Sequence, residues 1–303
     1  MKRLLIIAIM LPLGSFLAGC QTLEVATNMG ADIAAATGAI SMQQAESIKR
    51  GTQAADQAFE EFTPENEYYI GRTIAANILN KYRVYQNQEA TRYVNLLGQA
   101  VALASDKPET FKGYHFLIMD TDEINAFATP GGFIFISRGL MRCCTSEDSL
   151  AAVLAHEVGH VQLGHGMAAI QGSRYTALGK VVGVELAKNL GNEQLAQAAE
   201  VFDGAIGDIM KKMIDNGYQS TQEYDADKAA ITIMKRVGYN PRALANMLEQ
   251  MQRGLGPGAG GFGKTHPTPE SRLRNIGSLL QGSGAVQTPE TRKVRFNKVM
   301  ADL

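Results

Sequence analysis

Apolar side chains recur at helical spacing over most of the chain that follows residue 62. Thr63-Pro64-Glu65 has the composition of a helix start, with a capping hydroxyl, a proline in the first turn and an acid beside it. In the helix that follows, Ile70, Ile74 and Ile78 share one face. The same pattern predicts further helices at about Glu89–Ser105, Ser146–Gly164, Thr221–Val237, Pro269–Leu280 and Thr288–Val299.

Two short apolar runs depart from this helical pattern and favour strands. Tyr114–Met119 is one, and Phe133–Ser137, which follows a Gly131-Gly132 turn, is the other. The long segment Met167–Ile214 is compatible with helix, and its charged residues indicate a surface hairpin. We therefore expect an α+β fold that is mainly helical and contains a small sheet.

The first twenty residues have the layout of a secretory signal. Lys2 and Arg3 precede the apolar run Leu4–Leu13, which is too short for a membrane-spanning helix. The ending Leu17-Ala18-Gly19-Cys20 resembles the bacterial lipoprotein box. That resemblance implies cleavage before Cys20 and attachment of lipid to this cysteine, which would then be the only anchor of the chain.

Three segments follow from this assignment. We expect a signal peptide at residues 1–19, a lipid-anchored tether with loose helix at 20–62, and a single domain at 63–303. Gln21 stands where an aspartate would indicate retention in the inner membrane. The expected location is therefore the periplasmic side of the outer membrane.

Composition excludes several other classes of protein. Lys and Arg number 29 against 30 Asp and Glu, and no basic stripe occurs along the sequence, so no nucleic-acid partner is expected. The 45% of hydrophobic residues excludes a disordered chain, and three cysteines are too few for a disulfide scaffold. The adjacent Cys143 and Cys144 favour two buried thiols, with a disulfide as the open alternative in an oxidising periplasm.

The segment His156-Glu157-Val158-Gly159-His160 has the HExxH pattern. Residues four apart lie on one face of a helix, so both imidazoles can reach one metal ion at about 2.0–2.1 Å. Glu157 lies beside them and can accept a proton from a water molecule at the metal. The alternative, two surface histidines on an ordinary helix, is disfavoured because the preceding residues 150–155 are apolar.

A catalytic zinc site needs a third protein ligand and one open position. A third histidine in the pattern HExxHxxGxxH is excluded, because Leu163 and Gly166 stand where that pattern needs Gly and His. We assign the ligand to Glu223, and we assign Asp227, four residues later on the same helix face, as acceptor for a ligand imidazole N–H. Taken alone, this acidic segment could equally be a surface helix start.

Four motifs together resemble those of the zinc metallopeptidase family M48. They are HExxH, Glu223-x-x-x-Asp227, the run from Asn125 to Gly132, and His266-Pro-Thr-Pro-Glu-Ser-Arg272. The resemblance covers about Thr63 to Leu280 and is greatest to the short periplasmic lipoproteins of the family. It implies a gluzincin-type domain in which an edge strand of the small sheet flanks the HExxH helix. It also implies one zinc ion per chain, with His156, His160 and Glu223 as ligands and Glu157 as catalytic base.

The edge strand is expected to hold the substrate. Asn125, Ala126, Phe127 and Ala128 would offer their backbone groups to a peptide that adds as a further strand. A plain hairpin edge is the alternative, and both descriptions can hold together.

His266 has three interpretations. The resemblance implies a histidine that can fill the open zinc position and silence the enzyme; alternatively it donates a hydrogen bond to the tetrahedral oxyanion, or it only forms a helix-capping turn. The six glycines of Gly254–Gly263 would let this segment move as a lid.

Arg272 either pairs with a carboxylate of the site or holds the oxyanion. His165, five residues after His160, is assigned a structural or surface role.

These expectations describe a lipid-anchored zinc endopeptidase of the bacterial periplasm. Its expected partners are misfolded or misassembled envelope proteins as substrates, and the membrane through the lipid on Cys20. One alternative is a zinc-containing, non-catalytic chaperone or assembly factor for outer-membrane proteins, held shut by His266. A zinc hydrolase of non-peptide substrates is a second alternative, and the edge strand argues against it.

Overall fold

The computed structural model describes residues 20–46, 48–49, 62–172, 217–254, 266–282, 286–301 and 303. Those before residue 50 belong to one compact unit, with helix α1 at Cys20–Ala36, and those from residue 62 onward belong to a second. No helix among these residues is long and apolar enough to cross a membrane. The predicted signal peptide, most of the predicted hairpin after Met167 and the glycine-rich loop lie outside them. The three predicted segment borders stay predictions.

The second unit is mainly helical and has a three-stranded sheet, which confirms the predicted fold class. It begins with α2 (Pro64–Lys81) and α3 (Gln88–Leu103). The strands are β1 (His115–Met119), β2 (Ala126–Thr129) and β3 (Phe133–Ser137), with a 3₁₀ turn at Pro130–Gly132. The helices that follow among the described residues include α4 (Arg138–Cys143), α5 (Glu147–Gln162), α6 (Ser220–Val237), α7 (Arg242–Gly254), α8 (Pro269–Ile276) and α9 (Glu290–Met300).

Strand β3 lies in the middle of the sheet, parallel to β1 and antiparallel to β2. Strand β2 is therefore an edge strand, as the sequence predicts. Because successive side chains of a strand point to opposite faces, Ala128 and Ile134 pack in the larger core with α3 and α5. Phe127 and Phe135 face the other side, where they pack with residues of α2.

Helix α5 carries the HExxH residues through the centre of the unit. Ser146 caps its first turn by a reciprocal pair of hydrogen bonds with Ser149. Every residue from Glu147 to Val161 is buried, so the helix has no solvent face. Its apolar flanks and its polar residues are both enclosed, and each polar group therefore needs a partner within the protein.

Helices α5 and α6 pass each other at very short range. A Cβ atom at Gly159 would lie 3.0 Å from the backbone oxygen of Ala226, so a larger residue would require the facing backbone to shift by a few tenths of an ångström. Ala226 lies between Glu223 and Asp227 on α6, and all three are buried. The crossing therefore brings both predicted acidic residues against the HExxH turn of α5.

The two adjacent cysteines are free thiols. Cys144 is buried and Cys143 is half-buried at the end of α4. Each Sγ donates to the carbonyl four residues earlier, Cys143 to Gly139 at 3.5 Å and Cys144 to Leu140 at 3.6 Å. Of the two alternatives that the sequence leaves open, free thiols or a disulfide, the structure has the free thiols.

The amino end of α5 is tied to α9 by charge. The buried Glu147 carboxylate accepts hydrogen bonds from Arg295, from Tyr239 at 2.7 Å and from Tyr93 at 3.0 Å. Burial opposes ionisation of Glu147, but these hydrogen bonds lower its pKa below the usual value. Next to it, Arg292 lies 3.3 Å from a carboxylate oxygen of Asp148.

We expect Glu147→Gln to lower the free energy of unfolding by about 1–3 kcal/mol at neutral pH, because a buried ionic network loses its negative charge. The folded pKa is depressed, so the stabilising contribution is full above the unfolded value of 4.5 and disappears as the pH falls through the folded pKa. The wild type and the variant should therefore converge in acid. Urea unfolding followed by circular dichroism between neutral pH and pH about 3 measures this difference.

Glu89→Gln is the matched control. Glu89 also pairs with a basic residue of α9, Lys298, but the two side chains are 54% and 68% exposed. Its loss should cost less than about 1 kcal/mol because exposed ion pairs contribute little. Equal costs for the two variants would contradict a special role of the buried network.

Candidate metal centre

The donor atoms of three side chains meet at the crossing of α5 and α6. His156 Nε2 lies 3.2 Å from His160 Nε2, and the two nitrogens lie 3.4 Å from Glu223 Oε2 and Oε1 respectively. Two ligands 2.0–2.1 Å from a tetrahedral zinc ion are about 3.3 Å apart, so this triangle has the size that zinc requires. Glu223 Oε1 is buried and accepts no hydrogen bond from a described group, as expected of an atom that faces a cation.

The outer nitrogen of His156 faces a buried ion pair. His156 Nδ1 lies 3.0 Å from Asp227 Oδ1, which can accept its N–H and thereby direct the Nε2 lone pair toward the donor triangle. Arg272 donates from Nε to Asp227 Oδ2 at 3.0 Å, and its Nη2 donates to Oδ1. The sequence leaves two roles open for Arg272, and the structure shows the pairing with a carboxylate.

His160 has a corresponding partner that sequence reasoning missed. Its Nδ1 lies 2.9 Å from Nδ1 of His165, which is buried rather than at the surface. Of the structural or surface role that the sequence leaves open for His165, the structure shows the structural one: α5 ends at Gln162, and His165 follows a turn at Leu163 and Gly164. A third histidine five residues after His160 is a signal in the sequence, but helical periodicity alone does not place its side chain beside His160.

Electrostatics at the site follow from burial and from the charges enclosed with it. Burial, with a smaller contribution from the neighbouring histidines, lowers the pKa of His160 far below its usual value against the opposing effect of Glu223, so this imidazole is neutral. Burial opposes the charge of Glu223, yet His266 lowers its pKa well below the usual range. Burial likewise opposes ionisation of Asp227, while Arg272 and His156 lower its pKa to about 2.

Glu157 does not belong to the donor triangle and faces a pocket. The pocket is lined by Glu157, Ile74, Ile78, Ala126, Phe127, Ala128, Thr129, Gly217, Tyr218 and His266. Burial raises the pKa of Glu157, and the neighbouring His156 opposes this rise. The predicted general base therefore adjoins the predicted edge strand, in a pocket with largely apolar walls.

His266 is the fourth residue of the cluster. His156, His160, Glu223 and His266 each offer one ligand atom within 4.8 Å of the others, and all four are buried. His266 Nδ1 lies 2.6 Å from Glu223 Oε2. The structure thus places His266 in contact with a predicted metal ligand. The proposed lid before it lies outside the described residues.

Tyr218 is a second residue that the sequence did not single out. Its ring stacks on the His160 imidazole, with centroids 4.2 Å apart and planes 16° apart. Its hydroxyl donates to the Ala128 carbonyl at 2.9 Å. Nothing in the local sequence around Tyr218 indicates either contact.

The remaining predicted residues lie in two places. Asn125 precedes β2 and is buried, and Ala126, Phe127 and Ala128 lie in the strand and line the pocket. Cys20 begins α1 in the other unit, and its predicted lipidation stays a prediction.

The arrangement as a whole is that of a metallopeptidase with an HExxH helix and a carboxylate from a following helix. Residues 88–280 match the family described as Peptidase family M48, which is more than half of the chain. The chain therefore belongs to peptidase family M48, as the sequence motifs predict.

Several curated proteins are similar to this chain. The Beta-barrel assembly-enhancing protease of Escherichia coli (strain K12) is 33% identical over 190 residues, which are 60% of this chain and 37% of that protein. Mitochondrial metalloendopeptidase OMA1 of Schizosaccharomyces pombe is 32% identical over 158 residues, 52% of this chain and 43% of OMA1. Metalloprotease LoiP of Escherichia coli (strain K12) is 25% identical over 194 residues, 64% of this chain and 70% of LoiP. The chain thus spans little more than a third of the first of these relatives.

We expect Arg272→Met to weaken Zn²⁺ binding about 10- to 100-fold, because Asp227 loses the partner that fixes its carboxylate against His156. Competition with a chromophoric chelator measures the affinity, and a thermal melt checks the fold. Asp227→Asn, which keeps the shape of the side chain, serves as the second variant if Arg272→Met does not fold.

Arg274→Met is the matched control on the same helix. Arg274 pairs with Glu270 at the surface, where the two side chains are 67% and 66% exposed. Its Zn²⁺ affinity should equal that of the wild type. If folded Arg272→Met and Asp227→Asn bind Zn²⁺ as tightly as this control, the buried pair does not orient a ligand.

Proposed function

We propose that this chain is a zinc-dependent endopeptidase with one zinc ion per chain. The observation that carries the proposal is the triangle of His156 Nε2, His160 Nε2 and Glu223 oxygens, with sides of 3.2 and 3.4 Å. Two imidazoles and one carboxylate are a common ligand set of catalytic zinc, and they leave one position for water or substrate. The membership in peptidase family M48 and the metalloprotease relatives support the same function.

The chemistry is assigned to Glu157. A zinc ion in the triangle would polarise the peptide carbonyl and lower the pKa of a water molecule. Glu157 accepts a proton from the attacking water and later gives it to the nitrogen of the leaving amine. Burial raises the pKa of Glu157, which suits a carboxyl group that has to hold the proton between these two transfers.

Strand β2 is proposed to position the substrate. It is an edge strand and adjoins Glu157 in one pocket, so a peptide paired with Ala126–Thr129 would present its carbonyl to the metal centre. Recognition through backbone groups makes few demands on side chains. This supports extended, unfolded segments as the substrate class and argues against small non-peptide substrates.

Location and natural substrates are further parts of the proposal. The lipoprotein box at Cys20 supports a lipid anchor, and Gln21 supports the periplasmic side of the outer membrane. The printed name of one relative, Beta-barrel assembly-enhancing protease, supports misfolded or misassembled envelope proteins as substrates.

A non-catalytic chaperone or assembly factor is the second candidate. The 2.6 Å contact of His266 Nδ1 with Glu223 Oε2 favours it, because this histidine lies where it could close the metal site. An endopeptidase needs the Glu157 carboxylate as its general base, whereas a non-catalytic factor does not.

We expect Glu157→Gln to lower chelator-sensitive cleavage of casein by at least about 100-fold, because the proton acceptor is lost. Zinc content should stay at one ion per chain, since Glu157 is not a ligand. The assay uses purified protein of residues 21–303, with metal content determined by atomic emission. Glu89→Gln, remote from the site, is the control. Full rescue of envelope assembly by Glu157→Gln in cells would favour the chaperone.

We expect His266→Ala to change casein cleavage, and the sign assigns the role of this histidine. Removal of an inhibitory ligand raises the rate, whereas removal of an oxyanion donor lowers it by about 100- to 1000-fold. Initial rates at saturating zinc distinguish these outcomes. An unchanged rate would leave His266 with only its structural role in the turn.

A further inference from the structure

The outer edge of β2 is held by a tyrosine side chain. We propose that Tyr218 is a latch on this edge: its hydroxyl occupies the Ala128 carbonyl that an extended peptide needs, and it releases this carbonyl when substrate binds. The inference rests on the proposed function, because it takes β2 as the strand to which a peptide adds.

The pairing register shows which groups of β2 face outward. Ser137 N–H donates to the Asn125 carbonyl at 3.0 Å, so these two residues form a hydrogen-bonded pair with β3. In an antiparallel ladder such pairs alternate with pairs whose N–H and C=O groups point away from the partner strand. Ala126 and Ala128, opposite Ile136 and Ile134, are therefore the residues whose backbone groups face the free edge.

Side chains of the protein itself bind two of these outward groups. The Tyr218 hydroxyl donates to the Ala128 carbonyl at 2.9 Å. The Ala126 N–H donates to Asn125 Oδ1 at 2.9 Å. A peptide strand that pairs with the edge needs these same groups, so its N–H has to compete with the Tyr218 hydroxyl for Ala128.

Tyr218 also stands between two hollows along the strand. On one side is the pocket with Glu157 and His266, and on the other is a smaller hollow that includes Gly164 and Met167. Both are lined by Tyr218, Ala128 and Thr129. A turn of the Tyr218 side chain would remove part of the wall that the two hollows share along β2.

The local backbone gives the latch a pivot. Gly217, directly before Tyr218, has φ of 68°, a left-handed conformation that favours glycine. The ring of Tyr218 stacks on the His160 imidazole, so a rotation that moves the hydroxyl away from β2 also gives up this contact with a metal ligand. If the Tyr218–Ala128 hydrogen bond only stabilised the fold, its removal would not change the affinity for a peptide.

The test is Tyr218→Phe, which keeps the ring and removes the hydroxyl. An unstructured fluorogenic peptide gives KM and kcat. Fluorescence anisotropy gives the Kd of the same peptide for Glu157→Gln and for Glu157→Gln/Tyr218→Phe. We expect KM and Kd to fall about 2- to 10-fold, the value of one hydrogen bond, with kcat unchanged within about twofold.

Tyr224→Phe is the matched control. Tyr224 also makes one half-buried hydrogen bond, with the Ser271 hydroxyl at 2.5 Å, and this bond is not to β2. Its KM and Kd should equal those of the wild type. Zn²⁺ affinity measured for all variants shows whether the stacking on His160 is retained.

Three other outcomes overturn the latch. Unchanged or raised KM and Kd in Tyr218→Phe leave only a structural contact, and a kcat at least tenfold lower at constant KM makes Tyr218 a donor to the reacting carbonyl. No peptide binding by any variant overturns the latch together with β2 as the substrate strand. Because Kd is measured without cleavage, tighter binding in Tyr218→Phe with an inactive wild type upholds the latch and refutes the endopeptidase.

Discussion

The close crossing of α5 and α6 at Gly159 is the constraint on which the site depends. A side chain at this position would meet the backbone of Ala226 at 3.0 Å, so any larger residue has to push the two helices apart. The donor triangle has sides of only 3.2 to 3.4 Å. Because Glu223 comes from one helix and the histidines from the other, a shift of a few tenths of an ångström would change the distances between the donor atoms directly.

The crossing also requires that several charged or ionisable side chains be buried together. Asp227 and Arg272 neutralise each other, His156 lies against this pair, and the neutral His160 is held by His165. Breaking such a buried set costs more than forming it contributes, because the remaining partner keeps its desolvation penalty. The set thus adds little to net stability but allows one arrangement of the imidazoles, which is what a metal site needs.

The sequence predicts those parts of the site that follow from spacing within one element. His156, Glu157 and His160 lie within two turns of α5, and Glu223 and Asp227 lie on one face of α6, so helical periodicity places them. Tyr218 escapes such reasoning because it meets Ala128, 90 residues away, through a tertiary contact that no local pattern encodes. His165 escapes it because the helix ends first. The ambiguity of Arg272 disappears only when packing shows which carboxylate lies within its reach.

Two arginines of α9 lie outside the residues that match the family but belong to the same domain. The match to the peptidase family ends at residue 280, yet Arg295 and Arg292 neutralise the acids at the amino end of the HExxH helix. A fragment trimmed to the shared family region would leave Glu147 buried without its counter-charge. The unit that folds together therefore extends beyond the residues that match the family.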